Sequence, residues 1–321
     1  MKAWLVRASC EPEEMQVKEV DLPQPGKGQV RIRNHAAGVN FADLLLVQGK
    51  YQSARPFPFI PGAELAGVVD AAGEGVEGLA AGTRVMAMTD LGTFAEYSLA
   101  HAARVLEIPD ALGFAEAASV IAYHTSYYAL DRARLGAGEC LLVHAGASGV
   151  GMTAIQIGKA LGATVIATAS SAEKLEYCRA QGADHVISYA AANWVEEVKK
   201  IAPRGVNVIY DPVGGDVFDL CTKCIAPQGR ILVIGFASGR IPSMQVNRLL
   251  LKNCDLIGIW WGAYVEKNAA YFRATHAALM EWFQSGKICP AVSKTFAFEN
   301  APQALREMAS RKTMGKTAVV I

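Results

Sequence analysis

The stretch at residues 139–167 limits what this chain can fold into more than any other part of the sequence. A short apolar run at 141–143 has the length and composition of a buried parallel strand. A glycine-containing turn follows at 145–151, apolar residues then recur at helical spacing, and Gly162 stands where a glycine ends a helix. A second strand is predicted at 164–169. Strand, glycine turn, helix and strand in this order predict the first half of a dinucleotide-binding βαβ unit.

The glycines of this turn have a chemical explanation. A pyrophosphate would bind at the helix N-terminus, where unpaired N–H groups and the helix dipole favour an anion. A side chain in the turn would hold the phosphate away from the backbone, and a further glycine lets the helix pack closely on its strand. Because glycines also mark ordinary turns, the prediction depends on the strands and the helix around them.

Composition excludes several classes of protein. The 321 residues are 52% hydrophobic, which is enough for two domains with separate cores. The net charge is +1 without a basic run, so we expect no nucleic-acid partner. The N-terminus does not resemble a signal peptide, and no apolar segment reaches the ~20 residues that span a bilayer. Seven scattered cysteines indicate reduced thiols, so we expect a soluble cytoplasmic protein with no membrane partner.

Two kinds of pattern divide the chain. Residues 1 to about 120 contain short strands separated by glycine turns, which predict a compact β-rich barrel or sandwich. From residue 114 the period becomes helical, and about six strands then alternate with helices, as in a doubly wound parallel sheet. The segment after residue 261 is too short for a domain, and we expect it to return to the N-terminal one. The predicted fold class is therefore α/β, a doubly wound parallel sheet plus a β-rich domain.

The end of the second strand indicates which nucleotide is bound. In NAD-binding folds an acidic side chain there accepts hydrogen bonds from the ribose hydroxyls. This chain has Ser170 and Ser171, with no carboxylate before Glu173. Two hydroxyls beside Lys174 suit a 2′-phosphate, which a carboxylate would repel. The serines could instead cap the next helix, with the lysine solvated, but capping is compatible with phosphate binding. The sequence favours NADPH over NADH.

Motifs along the whole chain carry a family resemblance. They are GVNFADLLLVQGKY at 38–51, PGAELAGVV at 61–69, AGASGVG at 145–151, YDPVGG at 210–215, GFASG at 235–239 and a terminal Gly315-Lys316. In this order they resemble the medium-chain dehydrogenase/reductase superfamily, in its zinc-less NADPH:quinone oxidoreductase (zeta-crystallin-like) branch. The resemblance implies a GroES-like catalytic domain at 1–123 with 264–321, a Rossmann domain at 124–263 and an NADPH cleft between them. It also implies homodimers or homotetramers built through the Rossmann sheets.

The resemblance implies a site when it is carried over residue by residue. Asn40 and Tyr51 would be the catalytic residues that orient the substrate, Tyr51 as an aromatic side chain at the mouth of its site. The cofactor-binding positions are Ser170, Lys174, Tyr189 and Arg311 around the 2′-phosphate, Gly149 and Val150 at the pyrophosphate, and Asn40, Thr125 and Ser238 near the nicotinamide and its ribose.

Some residues depart from the family pattern. Ser148 replaces a usual glycine, and its hydroxyl could bind a phosphate oxygen or cap the helix. Leu45 stands where relatives can carry tyrosine, which makes the substrate side more apolar. Trp260 and Trp261 could line the cleft or belong to the core at the end of a strand, because large aromatic side chains are rarely wholly buried.

Catalytic zinc is not expected. Zinc dehydrogenases of this superfamily need three protein ligands and an open position. Ala63 replaces the histidine of their GHE motif, no thiol occurs between Gly38 and Asp43, and the structural four-cysteine cluster is missing.

Other reactive side chains are expected to be structural. Cys221 and Cys224 form a single C-x-x-C on a predicted helix, which favours helix packing over a metal site. His124 and His144 flank the expected cleft, where either could donate a hydrogen bond, but a histidine packed in the interior is the more common case. Asp43 is expected to cap a turn or to form a salt bridge, although a mechanistic role stays open.

The expected function follows from a site without metal. A quinone or conjugated enone spreads the incoming negative charge over its own π-system, so the protein need only position it against the nicotinamide and exclude water. We therefore expect NADPH-dependent, metal-free reduction of quinones or enones by hydride transfer from nicotinamide C4. The alternatives are reduction of other activated alkenes, such as enoyl esters or haloacrylates, and an NADPH-binding protein with a structural or regulatory role.

Overall fold

The computed structural model describes residues 1–51, 55–310 and 312–321. Within these residues the chain forms two compact units, Met1–Ile121 with Pro290–Ile321, and Ala122–Cys289. The resemblance implied that residues 264–321 belong to the first unit, whereas residues 264–289 lie in the second. The ring of Phe272 explains this difference, because its centroid lies 5.0 Å from that of His124 within the second unit.

The first unit begins with short strands, as the glycine-rich pattern predicts. Its long strand β3 is buried along most of one face. The elements before residue 121 are β1 (Lys2–Leu5), β2 (Gln16–Glu19), β3 (Gln29–Val39), α1 (Phe41–Val47), β4 (Glu64–Ala72), β5 (Arg84–Met88), β6 (Tyr97–His101), β7 (Val105–Glu107) and α2 (Phe114–Ala117).

The second unit alternates strands and helices. They are α3 (Ile121–Arg132), β8 (Cys140–Val143), α4 (Gly149–Ala160), β9 (Thr164–Ala169), α5 (Ala172–Ala180), β10 (His185–Ser188), α6 (Trp194–Ile201), β11 (Val206–Asp211), α7 (Gly215–Cys224), β12 (Ile225–Val233), α8 (Asn247–Lys252), β13 (Asp255–Gly258), α9 (Trp261–Glu266) and α10 (Ala269–Gln284).

These strands form a parallel sheet in the order β10-β9-β8-β11-β12-β13. Counted in chain order within the sheet this is 3-2-1-4-5-6, so the direction of winding reverses between β8 and β11. Helix α4 approaches β8 closely at Gly158, where an added Cβ would lie 2.6 Å from a methyl carbon of Leu141. The predicted α/β class with a doubly wound parallel sheet is confirmed.

The end of the chain completes the first unit with β14 (Val292–Ala297), α11 (Ala301–Ala309) and β15 (Lys316–Val320). Strand β15 lies between β14 and β3 in the sheet order β14-β15-β3-β4-β5-β7, and β6 also pairs with β3. The expected return of the chain end to the N-terminal domain therefore holds for Pro290–Ile321, whereas α9 and α10 belong to the second unit. No helix in the described part of the chain has the length and apolarity to cross a membrane.

Candidate functional site

The turn between β8 and α4 is shaped by packing as well as by its glycines. An added Cβ at Gly146 would lie 2.8 Å from Cys178 Sγ, and one at Gly151 would lie 2.2 Å from the carbonyl oxygen of Ala145. Gly149 and Val150 begin α4, where backbone N–H groups lack intrahelical acceptors. The glycines therefore allow close packing of the turn, and the start of α4 presents backbone N–H donors of the kind that bind an anion at a helix N-terminus.

Ser148 is the N-cap of α4. Its Oγ accepts a hydrogen bond from the N–H of Gly151 at 3.1 Å. Of the two roles left open for this serine, the structure shows helix capping, which satisfies one N–H of the first turn.

Three residues predicted to bind the 2′-phosphate, Ser170, Lys174 and Tyr189, follow the C-terminal ends of β9 and β10 in the second unit. Ser170 is exposed directly after β9, and Tyr189 follows β10 with its N–H donated to Ala169 at 3.2 Å. Ser171 caps α5 by accepting a hydrogen bond from the N–H of Lys174 at 3.3 Å. Because β9 and β10 are parallel neighbours, these residues share one end of the sheet.

Lys174 is half-buried on the first turn of α5. Burial lowers the pKa of its ammonium below the ordinary value, against the opposite effect of Glu173. A bound anion would favour the charged form and reverse that shift. Arg311, the further phosphate-side residue, lies outside the described residues.

Thr125 and Ser238 also lie in the second unit. Ser126, next to Thr125, donates its hydroxyl to the carbonyl of Val150 at 3.0 Å, so this part of α3 lies beside the start of α4. The N–H of Ser238 donates to the carbonyl of Val213 at 2.9 Å, which ties the loop after β12 to the residues following β11. Thr125 therefore lies near the helix that follows β8, and Ser238 lies near the residues that follow β11. These two strands flank the switch point of the sheet.

The strand after the switch point ends in a buried carboxyl. Asp211 accepts hydrogen bonds from the N–H groups of Val213 at 2.8 Å and Gly214 at 3.1 Å. Burial raises the pKa of Asp211 to about 6, and these two donors act in the opposite direction. This carboxyl shapes the backbone that leads into α7.

Asn40 lies in the first unit, within a buried polar network that sequence reasoning did not detect. Three neighbouring antiparallel strands bring the network together, because β15 pairs with β3 and β3 pairs with β4. Lys316 Nζ lies 2.6 Å from Glu64 Oε1 and 2.8 Å from Asn40 Oδ1. Asn40 Nδ2 donates to the same Glu64 oxygen at 2.6 Å. Glu64 and Lys316 are 1% and 3% exposed.

Asp43 lies beside this network on the first turn of α1. Its Oδ2 accepts a hydrogen bond from the backbone N–H of Asn40 at 2.8 Å, so the expected turn-capping role is the one observed. Burial raises the pKa of Asp43 to about 7, and the charge of Glu64 acts in the same direction. The N–H of Asn40 and the Lys316 ammonium act against this shift. Within the described residues, Oδ1 of Asp43 and Oε2 of Glu64 have no hydrogen-bond partner.

A weak sequence signal for this network existed. Glu64 and Lys316 each begin a strand whose following residues are apolar, ELAGVV and KTAVV. A charged residue leading directly into a buried strand is seldom fully buried without a partner. Their pairing could not be read from the sequence, because 252 positions separate them.

Comparisons with known proteins agree with this architecture. Residues 26–110 match the alcohol dehydrogenase GroES-like domain family, and residues 149–282 match the zinc-binding dehydrogenase family. A quinone oxidoreductase-like protein 2 homolog of Nematostella vectensis is 38% identical, over 92% of this chain and 82% of its own length. The chain belongs to the medium-chain dehydrogenase/reductase superfamily, in its quinone oxidoreductase branch.

Two further proteins are similar to this superfamily member over nearly its whole length. The crystal structure of Escherichia coli quinone oxidoreductase complexed with NADPH matches with a TM-score of 0.94 and 28% identity, over 100% of both chains. The human synaptic vesicle membrane protein VAT-1 homolog is 33% identical, over 95% of this chain and 82% of its own length. As a member of the quinone oxidoreductase branch, the protein is an oxidoreductase.

The zinc of related dehydrogenases does not fit the residues of this family member. Ala63 has no ligand atom, and the cation that contacts Glu64 is the ammonium of Lys316. In the described residues, no group of three or more histidine, cysteine, aspartate or glutamate side chains could hold a metal ion. The polar groups at this position are therefore the amide of Asn40 and the ion pair of Glu64 with Lys316.

The remaining aromatic candidates differ in exposure. Tyr51 is half-buried and packs against the core of the first unit, and Leu45 is also half-buried. In the second unit Trp260 is 71% exposed, whereas Trp261 is buried with its ring centroid 5.7 Å from that of Phe272. The two tryptophans therefore have different environments, and of the two Trp261 is the core residue.

The histidine and cysteine candidates are interior residues, as expected. His124 and His144 are fully buried, and burial lowers the pKa of His144 to about 3. His144 Nδ1 lies 2.9 Å from Thr168 Oγ1, which gives the neutral ring a polar partner. Cys221 and Cys224 lie on α7 within a hydrophobic core.

Proposed function

We propose that this oxidoreductase catalyses NADPH-dependent, metal-free reduction of quinones or conjugated enones by hydride transfer from nicotinamide C4. The observation that carries the proposal is the set of hydroxyl and ammonium groups after β9 and β10, where an NAD-selective site would have a carboxylate. The E. coli relative, whose structure contains NADPH, supports the same cofactor.

In this proposal the chain's own groups bind and orient the cofactor. The N–H groups of Gly149 and Val150 bind the pyrophosphate at the start of α4. Asn40, Thr125 and Ser238 orient the nicotinamide and its ribose. The 2′-phosphate is bound by Ser170, Lys174, Tyr189 and Arg311. When bound, NADPH supplies the hydride.

The proposed substrate class follows from the chemistry of the first unit. Reduction of a quinone or enone places the charge on a distant oxygen of the substrate itself, so amide donors can stabilise it without a metal. Asn40 can donate a hydrogen bond there, and Tyr51 and Leu45 supply the aromatic and aliphatic surface. Tyr51 or water provides the proton.

A second candidate function rests on one relative. The human synaptic vesicle membrane protein VAT-1 homolog matches 95% of this chain, and its name states a location and no reaction, so an NADPH-binding protein with a structural or regulatory role is the second candidate. Turnover distinguishes the two functions, because only an enzyme consumes NADPH with a suitable acceptor.

The cofactor assignment is tested by fluorescence titration with NADPH and NADH. Lys174→Ala should weaken NADPH binding at least tenfold, a loss of ~1.4 kcal/mol, and leave NADH binding unchanged. Lys200→Ala is the matched control, because Lys200 is an exposed lysine of the same unit paired with Glu197. Equal binding of both nucleotides, insensitive to Lys174, would contradict the proposal.

The acceptor class is tested by NADPH oxidation with ortho-quinones, conjugated enones, enoyl esters and haloacrylates. Turnover with quinones or enones supports the proposed reaction. Turnover with the activated alkenes alone selects that alternative. Tight NADPH binding without turnover of any acceptor supports the structural or regulatory role.

We also propose that two copies of this chain associate through the second unit. Strand β13 is at the end of its sheet and pairs only with β12 in the described chain. Exposed apolar side chains lie before and on it, with Leu250, Leu251 and Val246 each at least 74% exposed. An open edge and an apolar surface together favour association with an identical edge.

For location, we propose the cytoplasm. All seven cysteines are free thiols, as in proteins of a reducing compartment. Cell fractionation tests this, and recovery with membranes would contradict it.

A further inference from the structure

The ion pair between Glu64 and Lys316 does more than join two strands, because both side chains also bind Asn40. The oxygen and nitrogen ends of an amide have nearly the same shape and differ only in their hydrogen-bond partners. Lys316 can only donate, and it lies 2.8 Å from Oδ1 of Asn40. The Glu64 oxygen that Nδ2 contacts at 2.6 Å can accept. The two charges therefore distinguish the two ends of the amide.

Stability alone does not explain this pair. Glu64 and Lys316 are almost fully buried, and removing two charges from water costs more than most ion pairs return. Apolar side chains of similar volume would fill such a space without that cost.

Neighbouring backbone is also adapted to this carboxylate. An added Cβ at Gly38 would lie 2.3 Å from Glu64 Oε1 and 2.2 Å from the carbonyl oxygen of Ala118. The absence of a side chain at Gly38 therefore gives the Glu64 carboxylate the room to reach Asn40 across β3.

We propose that Glu64 and Lys316 are positioning residues that hold the side-chain amide of Asn40 in one orientation. This inference rests on the proposed role of Asn40 at the nicotinamide and the substrate. The pair uses one N–H and one lone pair of the amide, which leaves the second N–H with a fixed direction for the ligand.

The main test is a double-mutant comparison. Glu64→Met combined with Lys316→Met, here called the neutral pair, removes both charges and both hydrogen-bonding groups together, so neither charge is left buried alone and the Asn40 amide loses both partners. In the wild-type background it should lower kcat with an ortho-quinone about tenfold to hundredfold, because the amide is no longer aligned. In an Asn40→Ala background it should cause no further loss. An equal loss in both backgrounds, or no loss in either, overturns the inference.

Nuclear magnetic resonance of the protein without cofactor gives a second readout. The side-chain amide signals missing from the Asn40→Ala spectrum identify Asn40. Their hydrogens should exchange slowly with water in the wild type and at least tenfold faster in the neutral pair. Unchanged exchange overturns the inference.

Glu64→Asp keeps the test decisive if the neutral pair does not fold. It retains both charges but draws the carboxylate back by one methylene, so contact with Nδ2 is lost. We expect an unfolding temperature near that of the wild type and kcat about tenfold lower. Wild-type kcat in this variant overturns the inference.

The same data separate this inference from the proposed function. Wild-type kcat and NADPH affinity in Asn40→Ala would remove Asn40 from the proposed site. A defective Asn40→Ala with a fully active neutral pair would overturn the positioning role alone.

Discussion

At the scale of single residues, burial shifts the pKa values of three side chains that the sequence analysis or the structure singled out, namely Asp43, Asp211 and His144. Asp43 and Asp211 are carboxyls whose pKa values rise to about 7 and about 6, while the pKa of His144 falls to about 3. Desolvation is the largest cause in all three, because it penalises the charged form. None of these shifts could be read from the sequence, which shows the residue but not its surroundings.

Asp43 should make stability depend on pH. In the folded protein it keeps its proton up to about pH 7, whereas in the unfolded chain it loses it near its ordinary value of 3.8. Its stabilising effect is therefore complete below about pH 4 and is lost as the pH rises through 7. Asp43→Asn, which stays neutral, should gain stability relative to the wild type by up to about 1.4 kcal/mol per pH unit over this range.

Urea unfolding of both proteins between pH 4.5 and 8 measures this difference. Asp211 contributes in the same direction as Asp43. His144 acts oppositely, since its folded pKa is lowered and its contribution is lost as the pH falls below its ordinary 6.5. Asp211 and His144 are present in the wild type and in Asp43→Asn, so their contributions to the pH dependence cancel when the two proteins are compared. A difference that stays constant with pH would contradict a raised pKa at Asp43.

At the scale of strands and helices, local sequence pattern predicts where an element lies along the chain, whereas neighbouring strands decide its place in the sheet. The alternation of strands and helices in the second unit could be predicted, because apolar period and glycine stops are local signals, but helix α8 was not predicted. Strand β9 has the bounds that its sequence pattern predicts, Thr164–Ala169. Strand β13 is different, because its place at the end of the sheet is a property of the whole sheet.

The open edge at β13 leads to a prediction about assembly. Leu251→Glu places a charge on the exposed apolar surface of α8 and should convert an oligomer into monomers. Leu22→Glu is the matched control, an exposed leucine of the first unit. Light scattering coupled to size-exclusion chromatography measures the mass. An unchanged mass in Leu251→Glu, or a wild type that is already monomeric, would contradict the proposed interface.

At the scale of the whole molecule, the two units differ in the segments of the chain that form them. The second is one continuous segment with its own core, built around residues such as Ile209 and Ile231. The first needs both ends of the chain, because β15 lies between β14 and β3. Folding of the first unit therefore depends on contacts that close a very long loop.

This difference predicts how fragments behave. Residues 122–289 alone should fold cooperatively, with near-ultraviolet circular dichroism and a single thermal transition. Residues 1–121 alone should not fold, because they leave positions 36–39 of β3 without their β15 partner and Glu64 without Lys316. Expression of both fragments tests this, and a folded N-terminal fragment or an unfolded 122–289 would contradict it.

The sequence by itself determined the α/β class, the nucleotide-type turn and the family, because these depend on local period, glycine placement and ordered motifs. It also indicated Asn40, whose role in the reaction stays a proposal. Only the tertiary structure decided that Lys316 and Glu64 meet at that amide. The physical reason is register: antiparallel pairing of three strands from distant parts of the chain places these side chains together, and no local pattern encodes that alignment.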